Sequence, residues 1–157
     1  MGTWLNADGL YIKYGVDEAV QNTGGGVKAF GKTQLVEFTV TAADLTASVG
    51  SVGFLSDTVF LPKNAYIESV EIFVETAFAG AGATLDIGLY KKDRTTALSA
   101  NGLAAAVATA SLTAGASVAG AGALVKTRTA EPALITYRKN TANFTAGKAV
   151  IRINYFA

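Results

Sequence analysis

From residue 34 onward apolar and polar residues alternate with a period of two, which marks strands that bury one face. In QLVEFTVT (34–41) Val36, Phe38 and Val40 fall on one side, and Leu35, Glu37 and Thr39 on the other. YIESVEIFVETAF (66–78) sets Val70, Ile72 and Val74 against Ser69, Glu71, Phe73 and Glu75. TLDIGLY (84–90) sets Leu85, Ile87 and Leu89 against Thr84, Asp86 and Tyr90, and KAVIRINYF (148–156) sets Ile151, Ile153 and Tyr155 against Arg152 and Asn154. VGFLSDTVFL (52–61), ALVKT (123–127) and ALITYR (133–138) are shorter candidates. About seven such strands, each with one polar face, predict an all-β protein built as a two-layer antiparallel sandwich.

The punctuation agrees. LPKNAY (61–66) carries Pro62 and Asn64, and FAGAGA (78–83) is a glycine-rich turn between two strong strands. SANGLAAAVATASLTAGA (99–116) is the one stretch that predicts a helix, short and near residues 100–113. Ser99 or Asn101 would cap it, Leu103, Val107 and Ala110 would share a face, and Gly115 would end it.

Residues 1–33 follow another pattern. QNTGGGVKAFGKTQ (21–34) holds Gly24, Gly25, Gly26 and Gly31 and is expected as a flexible hinge. Ahead of it, TWLNADGLYIKYG (3–15) concentrates Trp4, Leu5, Leu10, Tyr11, Ile12 and Tyr14. The division expected is an N-terminal arm with its hinge over 1–33 and a sandwich domain over 34–157. Apolar residues on an arm call for a surface to cover them. That surface is a neighbouring subunit, which LYIKY could also join as an added strand, or the chain's own sandwich, against which the arm would fold as an edge strand.

Composition sharpens this. Half the residues are apolar and 16% are charged, against roughly 25% in average domains, so the surface is sparsely charged and expected to associate. The net charge of +1 gives no bulk attraction to nucleic acid or to an anionic membrane. Residues 1–90 hold four Lys/Arg and ten Asp/Glu, net −6, whereas residues 91–157 hold nine and two, net +7. The two halves can pair within one sandwich or head to tail between subunits. Thr95–Val125 contains no charge, but its many Gly, Ser and Thr residues make it too polar for a membrane span of ~20 residues. The opening residues lack the basic start and apolar run of a secretory leader, so none is expected.

With no histidine and no cysteine, Ser–His–Asp and Cys–His catalysis, disulfides and His/Cys zinc sites are excluded. Paired acids remain. Glu71 and Glu75 stand four apart on one strand face, roughly 13 Å at ~3.3 Å per residue, too far to share a glycosidic bond; Asp86 or Glu37 would have to close the gap from another strand. These acids are read as an unpaired, solvent-facing row. The GGG at 24–26 lacks the Lys–Ser/Thr of a phosphate cradle, and the DLT and DGL stretches are too short for calcium. Tyr66, Tyr90 and Tyr137 could stack on a sugar but read as packing. KKDR (91–94) reads as a solvated hairpin tip. No catalytic residue, metal or cofactor is expected.

Four stretches in order carry a family resemblance: TWLNADGLYIKYGVDEA, FLPKNAYIESVEIFVETAF, ATLDIGLYKKD and the closing TAGKAVIRINYF, with the alanine-rich NGLAAAVATASLTAG between the last two. Together they resemble head decoration (cement) proteins of tailed bacteriophages. The resemblance implies a jelly-roll-like sandwich with a short helix, a non-enzymatic virion structural protein on the outer capsid surface, and the major capsid protein as its partner. It also implies self-association, with a homotrimer favoured; no nucleic-acid or membrane partner is expected from the net charge of +1. In that setting Trp4, Leu5, Leu10, Tyr11 and Tyr14 are the expected contact residues. A tail- or fibre-associated sandwich acting as an adhesin, and a carbohydrate-binding module, are the alternatives; both want exposed aromatics gathered around one groove.

Overall fold

The computed structural model of the chain describes residues 2–5, 11–14, 25–30, 33–45 and 50–157. Their strands are β1 (Gly2–Leu5), β2 (Tyr11–Tyr14), β3 (Gly25–Phe30), β4 (Thr33–Thr41), β5 (Gly53–Phe54), β6 (Phe60–Leu61), β7 (Tyr66–Ala79), β8 (Thr84–Lys91), β9 (Ala97–Ala108), β10 (Ser117–Ala119), β11 (Ala133–Asn140) and β12 (Ala146–Phe156). One sheet runs β10-β7-β12-β4-β3 and a second runs β5-β11-β8-β9, with β6 also on β11; β1 and β2 pair with each other in a separate small sheet. Every pairing is antiparallel.

The pairings nest. β8 pairs with β9, β7 with β10, β5 and β6 with β11, and β4 with β12, so the second half of the sandwich retraces the first. The additional pairs β7–β12 and β8–β11 then close each sheet. β3, inside the glycine-rich stretch expected as a hinge, lies beside β4 at the end of the first sheet.

The core is the set that the two-residue period singles out. Val36, Phe38 and Val40 of β4, Val70, Ile72 and Val74 of β7, and Ile151, Ile153 and Tyr155 of β12 are buried from the first sheet; Leu85, Ile87 and Leu89 of β8 meet them from the second. Phe38 reaches Tyr137 of β11 across the layers, ring centroids 6.5 Å apart. Burial pushes the Tyr137 hydroxyl above its ordinary range, with the nearby Asp44 charge adding to the shift, and burial alone does the same at Tyr155.

The helix expected near 100–113 is not there. Residues 97–108 are strand β9, and the described helical residues are a single 3-10 turn, Thr109–Ser111. Alanine-rich sequence favours a helix, but tertiary packing overrides so weak a preference. β9 lies along β8, pairing Ala104 with Ile87 and Val107 with Leu85, and this buries Leu103 and Ala104 completely. The small side chains serve close backbone approach instead. A Cβ on Gly88 would overlap the backbone of Ala100, and one on Gly122 would overlap that of Gly102.

The charge asymmetry resolves within the sandwich. Asp57–Arg94, Asp86–Arg138, Glu75–Lys148, Glu37–Arg152 and Glu71–Arg152 each join an acid of the first ninety residues to a base of the remainder. Lys91–Glu131 pairs within the second part.

Candidate functional site

The arm residues come first. In the β1–β2 hairpin the register sets Trp4 opposite Ile12, Leu5 opposite Tyr11, and Gly2 opposite Tyr14. Four of the five expected contact residues, Trp4, Leu5, Tyr11 and Tyr14, are therefore drawn into one small element. Leu10 lies outside the described residues.

The acids expected to be unpaired are in fact engaged. On the outer face of the first sheet, register places Glu71, Arg152 and Glu37 side by side on β7, β12 and β4. Arg152 Nε donates to Glu37 at 2.9 Å and Nη1 lies 3.6 Å from Glu71; its guanidinium is held above the ordinary arginine range chiefly by the Glu37 hydrogen bond. Ser117 of β10 donates to Glu71 at 2.6 Å, and Lys148 sits 2.7 Å from Glu75. These acids form an ion-paired strand surface.

Asp86 departs further from expectation. It points to the outer side of β8, yet is 1% exposed. Its Oδ2 accepts from Arg138 Nε and Nη2 at 3.0 and 2.9 Å, and its Oδ1 accepts from the Ala106 backbone N–H at 2.6 Å. Ala106 has φ +47°, a left-handed conformation unusual for a residue with a Cβ. The ladder between β8 and β9 breaks register on either side of Ile87. Asp86 pins a bulge that lays β9 over the outer face, and that bulge excludes water from Asp86.

The tyrosines that could hold a sugar do not converge. Tyr137 is core, Tyr66 stacks on Phe156 at 6.2 Å, and Tyr90 meets Phe54 edge-on at 5.5 Å. The KKDR hairpin tip is fastened rather than free. Arg94 pairs with Asp57 and lies over Phe54, and Lys92 lies 3.7 Å above Phe60. Asp93 Oδ1 accepts from the backbone N–H groups of Thr95 and Thr96, which, with the Thr96 hydroxyl on Oδ2, draw its carboxyl down to about 2.

Two openings stand out among the described residues. A cavity of about 190 Å³ lies between the start of β7, the β8–β9 end of the second sheet and residues 124–130, lined by Ile67, Leu89, Leu98, Leu124, Thr127 and Ala130 among others. A smaller one of about 60 Å³ holds Lys139, Asp44 and Tyr137. Neither was legible in sequence, because each is assembled from residues far apart in the chain. Among the described residues, no cluster of three or more acidic, histidine or cysteine side chains could hold a metal. No helix among them is long and apolar enough to cross a membrane.

No protein-family model matches the chain, and no curated protein matches it. Solved structures do share its fold. A chain in the capsid of Ralstonia phage GP4 is similar with TM-score 0.57 at 19% identity, covering 88% of this chain and 92% of that one. A chain in the acid-stable capsid structure of Helicobacter pylori bacteriophage KHP30 gives 0.54 at 19% identity over 82% and 90%. A chain in the capsid asymmetric unit of cyanophage Pam1 gives 0.53 at 16% identity over 90% and 96%. The likeness spans nearly the whole length of each partner, and at these identities it is a likeness of fold.

Proposed function

We propose that this protein is a non-enzymatic structural component of a phage virion, a decoration protein that binds the outer surface of the capsid and bridges neighbouring coat subunits. The observation that carries the reading is the shared fold with chains of three phage capsids, over at least 82% of this chain. Two further features support it. Glu37, Glu71, Glu75, Asp86, Arg138, Lys148 and Arg152 on the sandwich strands are engaged in ion pairs, as suits a scaffold. The nested pairing β4–β12, β5–β11, β7–β10 and β8–β9 is what results when one long antiparallel hairpin is rolled up, so we assign the sandwich to the jelly rolls.

In this reading the chain ahead of β3 forms the arm, and Trp4, Leu5, Leu10, Tyr11 and Tyr14 bury against coat protein or a sister subunit. Each large apolar side chain so buried contributes about 1.5–3 kcal/mol, offset by about 1–2 kcal/mol for each residue that becomes ordered. A single arm is therefore weak, and several arms on a repeating lattice gain by avidity. A trimer is the oligomer favoured by the family resemblance. The test adds purified protein to particles that lack it. Stoichiometric occupancy on the outside of the head, with a higher temperature for capsid disruption, is expected. Failure to bind assembled heads, or density confined to the tail, would overturn the assignment.

A further inference from the structure

The 190 Å³ cavity is large enough for an aromatic ring, since apolar cavities of about 150 Å³ accept benzene. It lies beside the start of β7, on the side that β10 takes further along the strand. There Ile67 exchanges backbone hydrogen bonds with Thr127 and Lys126, and Thr129 bonds Ala65, so residues 124–129 wall the opening. Two exposed cations on that wall, Lys126 and Arg128, have no carboxylate partner among the described residues; Arg128 donates to the Asn64 carbonyl.

The chain carries a segment of matching chemistry. β1 and β2 are four residues each and pair only with one another among the described strands. An isolated two-stranded hairpin is marginal in water and needs a surface to pack on. Residues 1–24 hold Asp8, Asp17 and Glu18 against Lys13, net −2, opposite in sign to the cavity wall.

We propose that the cavity receives Trp4 from the β1–β2 hairpin of a neighbouring copy; the proposal rests on the arm reading above and names its receptor. Placement selects the neighbour. The arm joins the sandwich at β3, one edge of the sheet β10-β7-β12-β4-β3, whereas the cavity lies beside the start of β7, at the β10–β7 end of the same sheet. With donor and acceptor at opposite ends of the sheet, a one-way arm contact is heterologous, and copies linked head to tail in this way form a ring where the rotation closes.

Trp4 is the only tryptophan, so its fluorescence reads the contact in the full-length protein without particles. The expected result is blue-shifted emission, protected from acrylamide, that turns red and quenchable as the oligomer is diluted. Ala130→Phe, an exposed position at the cavity, and Leu98→Phe, on its wall, should each plug the site. Both should give red emission at all concentrations and loss of the ring mass by light scattering, with far-UV circular dichroism unchanged for Ala130→Phe. Trp4→Ala should lose the ring in the same way. Emission that is blue at every concentration and turns red on plugging would overturn the proposal by placing Trp4 in its own cavity. Emission that is red throughout, or a ring indifferent to Ala130→Phe, would overturn it as well. Particle binding is measured separately, so full-length protein that forms the ring yet leaves heads bare would defeat the decoration reading alone.

Discussion

Arg138 and Arg152 stand at equivalent places, each on an outward-facing position of a central strand and each holding a carboxylate from the first ninety residues. Their surroundings differ. The Asp86 side chain gripped by Arg138 is 1% exposed, whereas Arg152, Glu37 and Glu71 are 39%, 35% and 41% exposed. In the first pair the β9 bulge has taken the carboxylate out of water, while Arg138 stays half-buried; the second pair remains in water. An ion pair in water contributes little, because screening and side-chain entropy offset most of the attraction. A buried pair contributes little relative to apolar packing, but is costly to break, because the survivor is left charged and dry.

Breaking the buried pair is therefore the largest expected effect. Arg138→Ala leaves the Asp86 carboxylate buried without its cation and should cost about 3–5 kcal/mol of unfolding free energy, measured by urea titration with an unchanged slope. A loss under ~1 kcal/mol would mean that water reaches Asp86. Asp86→Asn sharpens the point. Its amide oxygen still accepts from the Ala106 N–H, so the bulge keeps one anchor while Arg138 loses its counter-charge. The cost should fall to about 1.5–3 kcal/mol, the range for a hydrogen bond to a charged group, and remain below that of Arg138→Ala.

At the exposed ladder the same deletion should barely register. Arg152→Ala is expected to cost under ~1 kcal/mol, and raising salt from about 0.05 to about 0.5 M should shrink even that difference as screening tightens. A salt-independent loss of several kcal/mol would show that the two arginines are alike after all.

This contrast also explains how far the sequence could be read. The alternation that predicts β4, β7, β8 and β12 predicts their buried residues as well, because a strand between water and core must alternate. It could not show that Asp86, on the polar phase of β8, would be buried, since the cover comes from β9, where alanine and glycine carry no two-residue pattern. The helix expectation failed in that same region, for the same cause. The side chains of 97–108 are small because backbones pass close by, as at Gly88 and Gly102, and composition alone does not separate that demand from helix propensity. The arm residues were legible as an apolar cluster, but the cavity was not, since Ile67, Leu98 and Leu124 come together only in the folded sandwich.

The smallest effect belongs to a third acid, held by neutral donors instead of a cation. Asp93 is fully exposed on the β8–β9 hairpin tip and is held by the Thr95 and Thr96 N–H groups at 2.8 and 2.9 Å and the Thr96 hydroxyl at 2.7 Å. These donors favour the carboxylate over the acid, so its folded pKa falls to about 2, below the unfolded value of about 3.9. A depressed acid stabilises the fold above its unfolded pKa and loses that contribution as pH falls through its folded pKa. The window is therefore between about pH 4 and about pH 2. Carboxyl-carbon NMR should show Asp93 titrating near the bottom of that window. The melting-temperature gap between the native chain and Asp93→Ala should be small, constant above that window, and gone at its lower end. A titration midpoint at the unfolded value, or a gap that persists in the most acidic samples, would mean that the threonine donors do not hold the turn in solution. The tip would then be fastened by the neighbouring Arg94–Asp57 pair, an exposed contact of the kind that contributes little.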